Sequence, residues 1–244
     1  MFLVIFDVDG TLTHSDRRDS YCFAQTYEHI YQKEFPTIDW TQYPHVTDTS
    51  IFSTLIKTHF DREVLSEEVA HFQQHYIHLL RENRRHAPHH FQEIPGARAM
   101  MQQLQAMPQQ FQVSIATGGW QLPARVKLDH VGILNPALRV HGADGKLVRE
   151  AILSEAIEQA GGYSAFERIV YVGDAEWDVA TTRNMQLDFV GVRRGGDLQV
   201  LESLGAKQVI TDFQHIEAFL TALKEAGVPD FPKAVGKLSF EDCG

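Results

Sequence analysis

Phe2-Leu3-Val4-Ile5-Phe6-Asp7-Val8-Asp9-Gly10-Thr11-Leu12 begins with an unbroken apolar run that stops at two carboxylates and a glycine. Such a run is the pattern of a strand buried on both faces, as in a parallel sheet covered by helices above and below. Asp7 then stands at the carboxyl tip of that strand, the edge where open α/β sheets bind ligands. On an extended chain Asp7 and Asp9 point to opposite faces, and a turn at Gly10 can curl the second carboxylate back. One can then act as a nucleophile while the other handles protons. A plain surface turn is the competing reading. A calcium loop is discounted, because its pattern wants an acid or amide at position 11 and Glu at 18, where this chain has Thr11 and Arg18.

Working outward, further short apolar runs lie at Phe111–Ala116, Ile169–Val172, Phe189–Val192 and Gln208–Ile210. Helix-length stretches separate the later ones, at Gln121–Val131, Arg149–Ala160, Trp177–Asn184, Leu198–Leu204 and Ile216–Ala226. Strand alternating with helix predicts a parallel α/β sheet with right-handed crossovers. Residues 16–90 break the alternation. Leu65, Val69, Phe72, Tyr76 and Leu79 fall at helical spacing, as do Phe23, Tyr27 and Ile30, and Ile51, Phe52, Leu55, Ile56 and Phe60. The expectation is a core domain of residues 1–15 and 91–244 with an all-helical domain, residues 16–90, inserted after the first strand. Pro88 and Pro95 bracket the return, and Gly96 opens the next helix.

Two more strand ends carry chemistry. Thr117-Gly118-Gly119 ends the second long run, and a hydroxyl with backbone N–H groups at a strand-to-helix turn can bind phosphate, although Gly-Gly also makes ordinary turns. Asp174 stands just past the strand Ile169–Val172, with Asp178 one helical turn further on. Together with Asp7 they can build an all-oxygen site of the kind Mg²⁺ takes with waters and a substrate phosphate. Asp174 also reads as a helix N-cap, which is compatible with metal binding. Glu176 reads as solvated.

In order and separation these three tips resemble the haloacid dehalogenase superfamily of phosphoryl-transfer enzymes, over nearly the whole chain. The likeness runs through Asp7 to Leu12, Thr117 with Gly118, and Asp174 with Asp178. Thr47-Asp48 with Ile51 is similar to a segment of phosphoglycolate phosphatase-like members, and the helical block lies where that subgroup carries its cap. Ile94-Pro95-Gly96 and Leu204-Gly205-Ala206 through Ile210 also match. The resemblance implies a Rossmann-like core with a helical cap and a Mg²⁺-dependent phosphatase acting on a small phosphorylated metabolite. It also implies roles. Asp7 forms an aspartyl-phosphate, while Asp9 protonates the leaving group and then activates water. Asp7, the Asp9 carbonyl and Asp174 hold the metal, with Asp178 as ligand or support, and Thr117 and Gly118 grip the phosphoryl group.

The family's third element is a basic side chain, often a Lys before a Pro-x-Pro segment that this chain lacks. Lys146 and Arg149 both lie in the right interval, and either can serve as the phosphate-binding cation. Arg149 is favoured, because a cation at a helix start works against the dipole and a residue placed against local preference more often has a job. Lys127 reads as solvated in mid-helix, His86, His89 and His90 as an exposed hinge, and Trp120 as packing between the helical block and the core. Arg17 and Arg18 read as solvated or as meeting a second anionic group of the substrate. Cys22 reads as an apolar filler, and Cys243 lies in the tail.

The charge and the motifs together narrow the function. With 22 Lys+Arg against 32 Asp+Glu, the net charge of −10 opposes general nucleic-acid or anionic-membrane binding. No apolar run approaches the ~18 residues of a membrane span. The opening lacks a basic n-region, and two cysteines form no disulfide framework, so a cytoplasmic protein is expected. A phosphomutase on a sugar phosphate would use the same Asp7 and Asp9 and is the alternative within the enzymes. An inactive metabolite- or protein-binding relative is the alternative outside them, and the intact set of acids argues against it. Oligomeric state stays open, since apolar positions of the helices serve an internal core or a partner equally well.

Overall fold

The computed structural model describes residues 1–231. In chain order the elements are β1 (Phe2–Phe6), β2 (Thr13–His14), α1 (Asp16–Tyr31), α2 (Asp48–Phe60), α3 (Ser66–His86), β3 (Gln92–Glu93), α4 (Ala97–Gln105), β4 (Phe111–Ala116) and α5 (Gln121–His130). They continue with β5 (Val140–His141), α6 (Arg149–Ala160), β6 (Arg168–Gly173), α7 (Glu176–Met185), β7 (Asp188–Val192), α8 (Gln199–Ser203), β8 (Val209–Ile210) and α9 (Ile216–Glu225).

The main sheet has the order β5-β4-β1-β6-β7-β8, and every pairing is parallel. The chain starts in the middle, steps outward on one side, and crosses back to build the other. This is the doubly wound order whose switch point lies beside the first strand. Phe6 pairs with Ile115 on one side and Val172 on the other, so the residues after β1, β4 and β6 leave the sheet at one edge. Asp7, Thr117 and Asp174 follow from that register.

Alternate residues of β1 serve opposite faces. Leu3 and Ile5 enter one apolar cluster, and Val4 and Phe6 the other. Both faces are therefore buried, which is why the run carries no polar alternation. The Leu3 and Ile5 cluster continues through Phe23, Phe52, Phe72 and Tyr76 of α1, α2 and α3. Trp120, fully buried, joins them: its ring stacks on Phe23 at 5.8 Å and meets Phe72 and Phe52 at 5.7 and 5.9 Å. Its indole N–H donates to Thr49 Oγ1. α2 is capped by Thr47, whose hydroxyl accepts the Ser50 N–H.

Three short strands lie outside the expected set. β5 exists because Val140 and His141 pair with Ile115 and Ala116, and two residues show no period. β2 and β3 form an antiparallel ribbon, Thr13 opposite Glu93, where the chain leaves and re-enters the sheet. Lys127 is not solvated. It is 2% exposed, on the same inward face of α5 as Ala124 and Leu128. Cys22 is buried, and Cys243 lies outside the described residues. Among the described residues no helix is long and apolar enough to cross a membrane.

Candidate active site

The turn after β1 is tight. The Leu12 and Thr13 N–H groups both donate to the Val8 carbonyl, and Gly10 sits at φ +78°. A Cβ at Gly10 would lie 2.1 Å from Asp174 Oδ2, so both the conformation and the close approach require glycine. Thr11 donates to Asp174 Oδ1 at 3.3 Å, which ties the tips of β1 and β6 together. At the tip of β4, Thr117 Oγ1 accepts the Gly119 N–H and keeps its own proton to donate.

Arg149 opens α6 and is 8% exposed. Its Nη2 lies 3.2 Å from Asp7 Oδ1, 2.8 Å from Asp178 Oδ1 and 3.2 Å from the Tyr171 hydroxyl, and its Nη1 donates to the Val46 carbonyl. The guanidinium passes directly beside Gly118, where a Cβ would meet Arg149 Nη1 at 2.2 Å. Burial disfavours its charge, but Asp178, Tyr171 and Asp7 outweigh that and hold the group protonated. Asp178, fully buried, also accepts the Asp174 and Ala175 N–H groups on Oδ2, so it shapes the β6–α7 turn while fixing Arg149. Burial pushes the Asp7 carboxyl up to about 7; Arg149 opposes the shift and the nearby Asp178 and Asp9 add to it.

Asp9 faces a second cation. Lys127 Nζ donates to Asp9 Oδ2 at 2.5 Å and to Asp19 Oδ1 at 2.8 Å, and Ser15 Oγ donates to Asp9 Oδ1 at 2.8 Å. Burial pushes the Asp19 carboxyl up to about 6, with Lys127 working against the shift. Across the opening, Asp48 of α2 accepts the Trp120 N–H, and burial raises its carboxyl to about 8.

Asp7, Asp9, Thr117, Gly118, Arg149 and Asp174 line one cavity of about 100 Å³, roofed by Asp19, Phe23, Trp40, Asp48 and Ile51 of the inserted segment. Lys146 is not among the lining residues; it pairs with Glu155 at 2.8 Å. Arg17 and Arg18 do not line the cavity either: Arg17 lies over the Tyr21 ring, and Arg18 donates to Asn83. Ser15, Asp19, Lys127 and Tyr171 are the residues that sequence reasoning missed. Tyr171 reads as one more apolar strand residue. For Lys127 a signal exists, since its spacing from Ala124 and Val131 puts it on the buried face of α5.

Asp7, Asp174 and Asp178 each offer a carboxylate oxygen within 4.8 Å of the others, the one such set of potential ligands among the described residues. The donors are all hard oxygens, and one guanidinium does not balance three carboxylates. This set fits a hard divalent cation such as Mg²⁺.

A family model described as haloacid dehalogenase-like hydrolase matches residues 4–192. Among solved structures the chain is similar to a hydrolase from Pseudomonas syringae at 19% identity, covering 92% of this chain and 99% of that one with a TM-score of 0.68. It is also similar to a protein described as a predicted phosphatase from Clostridium acetobutylicum, at 18% identity over 90% and 97% of the two chains, TM-score 0.60. A third is a hydrolase of the same family from Deinococcus radiodurans, solved with phosphate and sodium bound, at 15% identity over 93% and 98%, TM-score 0.54. At these identities the likeness is one of fold. No curated protein matches the chain significantly.

Proposed function

The chain belongs to the haloacid dehalogenase-like hydrolases, and from that premise we propose that it hydrolyses a small phosphomonoester through an aspartyl-phosphate on Asp7, with Mg²⁺ as cofactor. Asp7 attacks phosphorus: the bond from Asp7 to phosphorus forms as the ester bond breaks, and a protonated Asp9 carboxyl gives its proton to the departing oxygen, leaving the carboxylate that Lys127 and Ser15 hold. In the second half a water attacks the same phosphorus, Asp9 takes its proton, and the Asp7 carboxylate is released. Thr117 and the Gly118 N–H bind the phosphoryl oxygens. Arg149, held in place by Asp178 and Tyr171, offers its guanidinium to the same group.

Asp7, the Asp9 carbonyl and Asp174 would hold the cation, with Asp178 as a ligand or as support through its contacts to Arg149 and the Asp174 and Ala175 N–H groups. Bound there, Mg²⁺ neutralises the charge that Asp7 and the phosphoryl group bring together. In this reading α1–α3 are a cap domain whose closure keeps bulk water and large substrates from the strand tips. The small cavity supports a compact substrate.

The observation that carries the reading is the buried Arg149 guanidinium on Asp7, at the floor of a cavity that also holds Asp9, Thr117 and Asp174. Its test is phosphate release from a panel of glycerol phosphate, 2-phosphoglycolate, hexose phosphates and p-nitrophenyl phosphate, with Mg²⁺ and with EDTA. Release is expected to require the metal and to fall by about a thousandfold or more in Asp7→Asn. Near-normal release from that variant contradicts the assignment. Interconversion of a hexose phosphate without net release would favour the mutase instead.

A further inference from the structure

Lys127 is 2% exposed, and its ammonium bridges two carboxylates that come 118 and 108 residues earlier in the chain, Asp9 and Asp19. A buried ammonium is costly to desolvate, and an apolar side chain on this face of α5 would fill the space without that cost. The cavity is lined by Asp9 and Asp19 but not by Lys127, so the lysine reaches a bound molecule only through them.

The arrangement around Asp9 is a clamp. Lys127 of α5 holds Oδ2 and Ser15 holds Oδ1. Ser15 is fixed in turn by Thr13, whose hydroxyl donates to Ser15 Oγ at 2.8 Å. On the far side, Asp19 of α1 accepts the Tyr76 hydroxyl of α3 at 2.6 Å on the same oxygen that meets Lys127. A carboxylate at a strand tip otherwise has several rotamers to choose from, and proton transfer needs hydrogen-bond reach to the reacting oxygen.

We infer that Lys127 is a positioning residue: it fixes the angle of the Asp9 carboxylate toward the leaving group, and through Asp19 and Tyr76 it ties that angle to the seating of α1 and α3. The inference rests on the phosphatase reading above. Its consequence is chemical selectivity. An alkoxide leaves slowly without a proton, whereas p-nitrophenolate leaves without one, so losing the position of Asp9 penalises the two esters unequally.

The experiment compares kcat for p-nitrophenyl phosphate and for the aliphatic ester that the panel ranks first, in Lys127→Met, Asp9→Ala and the double variant. Lys127→Met is expected to lose about a hundredfold on the aliphatic ester and no more than about tenfold on the aryl ester. Adding Lys127→Met to Asp9→Ala should cost little more, because the lysine acts through that carboxylate. Since Lys127→Met leaves two carboxylates facing each other, Lys127→Met/Asp19→Asn is measured beside it, with melting curves, and is expected to show the same selectivity. Equal losses on both esters, or additive losses in the double variant, overturn the inference while leaving the phosphatase reading standing. A wild-type enzyme that releases phosphate from neither ester in Mg²⁺ overturns both.

Discussion

Arg149 opens a helix, where the dipole repels its charge, and two buried carboxylates and a tyrosine hydroxyl reverse that preference. Arg149→Ala is therefore expected to lose at least about a hundredfold in kcat/KM, the scale of one preorganised electrostatic contact. Lys146→Ala should lose under about threefold, a surface-sized effect, since its ammonium is bonded to Glu155 and does not line the cavity. Steady-state kinetics on one ester ranks the two, and the reverse order contradicts the geometry. The acids at the strand tips were legible because each directly follows a buried apolar run. The conflict between charge and helix dipole singled out Arg149. Lys127 was obscured because its partners come from distant parts of the chain and no local pattern names them, although the spacing of Ala124, Leu128 and Val131 marks its face as buried.

At the scale of elements, α1, α2, α3 and α5 meet around one side chain. Trp120 stacks on Phe23, touches Phe52 and Phe72 edge-on, and bonds Thr49 and Asp48. Trp120→Ala should cost about 3–5 kcal/mol of unfolding free energy, as for other large aromatic truncations in a core. Urea unfolding measures it, and a loss below about 1 kcal/mol would mean that the helices do not depend on this contact. The long elements were readable from their periods, buried runs for β1, β4, β6 and β7 and helical spacing for α1–α3. The two-residue strands β2, β3 and β5 were not, because their existence is decided by a neighbour's register and not by their own composition.

For the molecule as a whole, ten excess negative charges are carried by a chain that buries Asp7 and Asp178 and half-buries Asp48. Burial raises Asp48 to about 8 from an ordinary value near 4. A carboxyl raised on folding holds its proton more tightly in the folded state. Its contribution to stability is complete below about pH 4 and is lost as pH climbs toward 8. Asp48→Asn keeps an acceptor for the Trp120 N–H and removes the titration. Its Tm relative to wild type should therefore be higher at pH 8 than at pH 5, by about 2 °C or more, the shift of about 1 kcal/mol in a chain of this length. An equal shift at both pH values contradicts the burial of that charge. The central claim is that Asp7 becomes phosphorylated, and mass spectrometry of acid-quenched Asp9→Ala after incubation with p-nitrophenyl phosphate and Mg²⁺ addresses it most directly. The expected result is a phosphoryl group on the peptide that contains Asp7, absent with EDTA and absent in Asp7→Asn/Asp9→Ala. Substrate consumed with no phosphoryl group on that peptide, or with one that survives Asp7→Asn, would contradict the account.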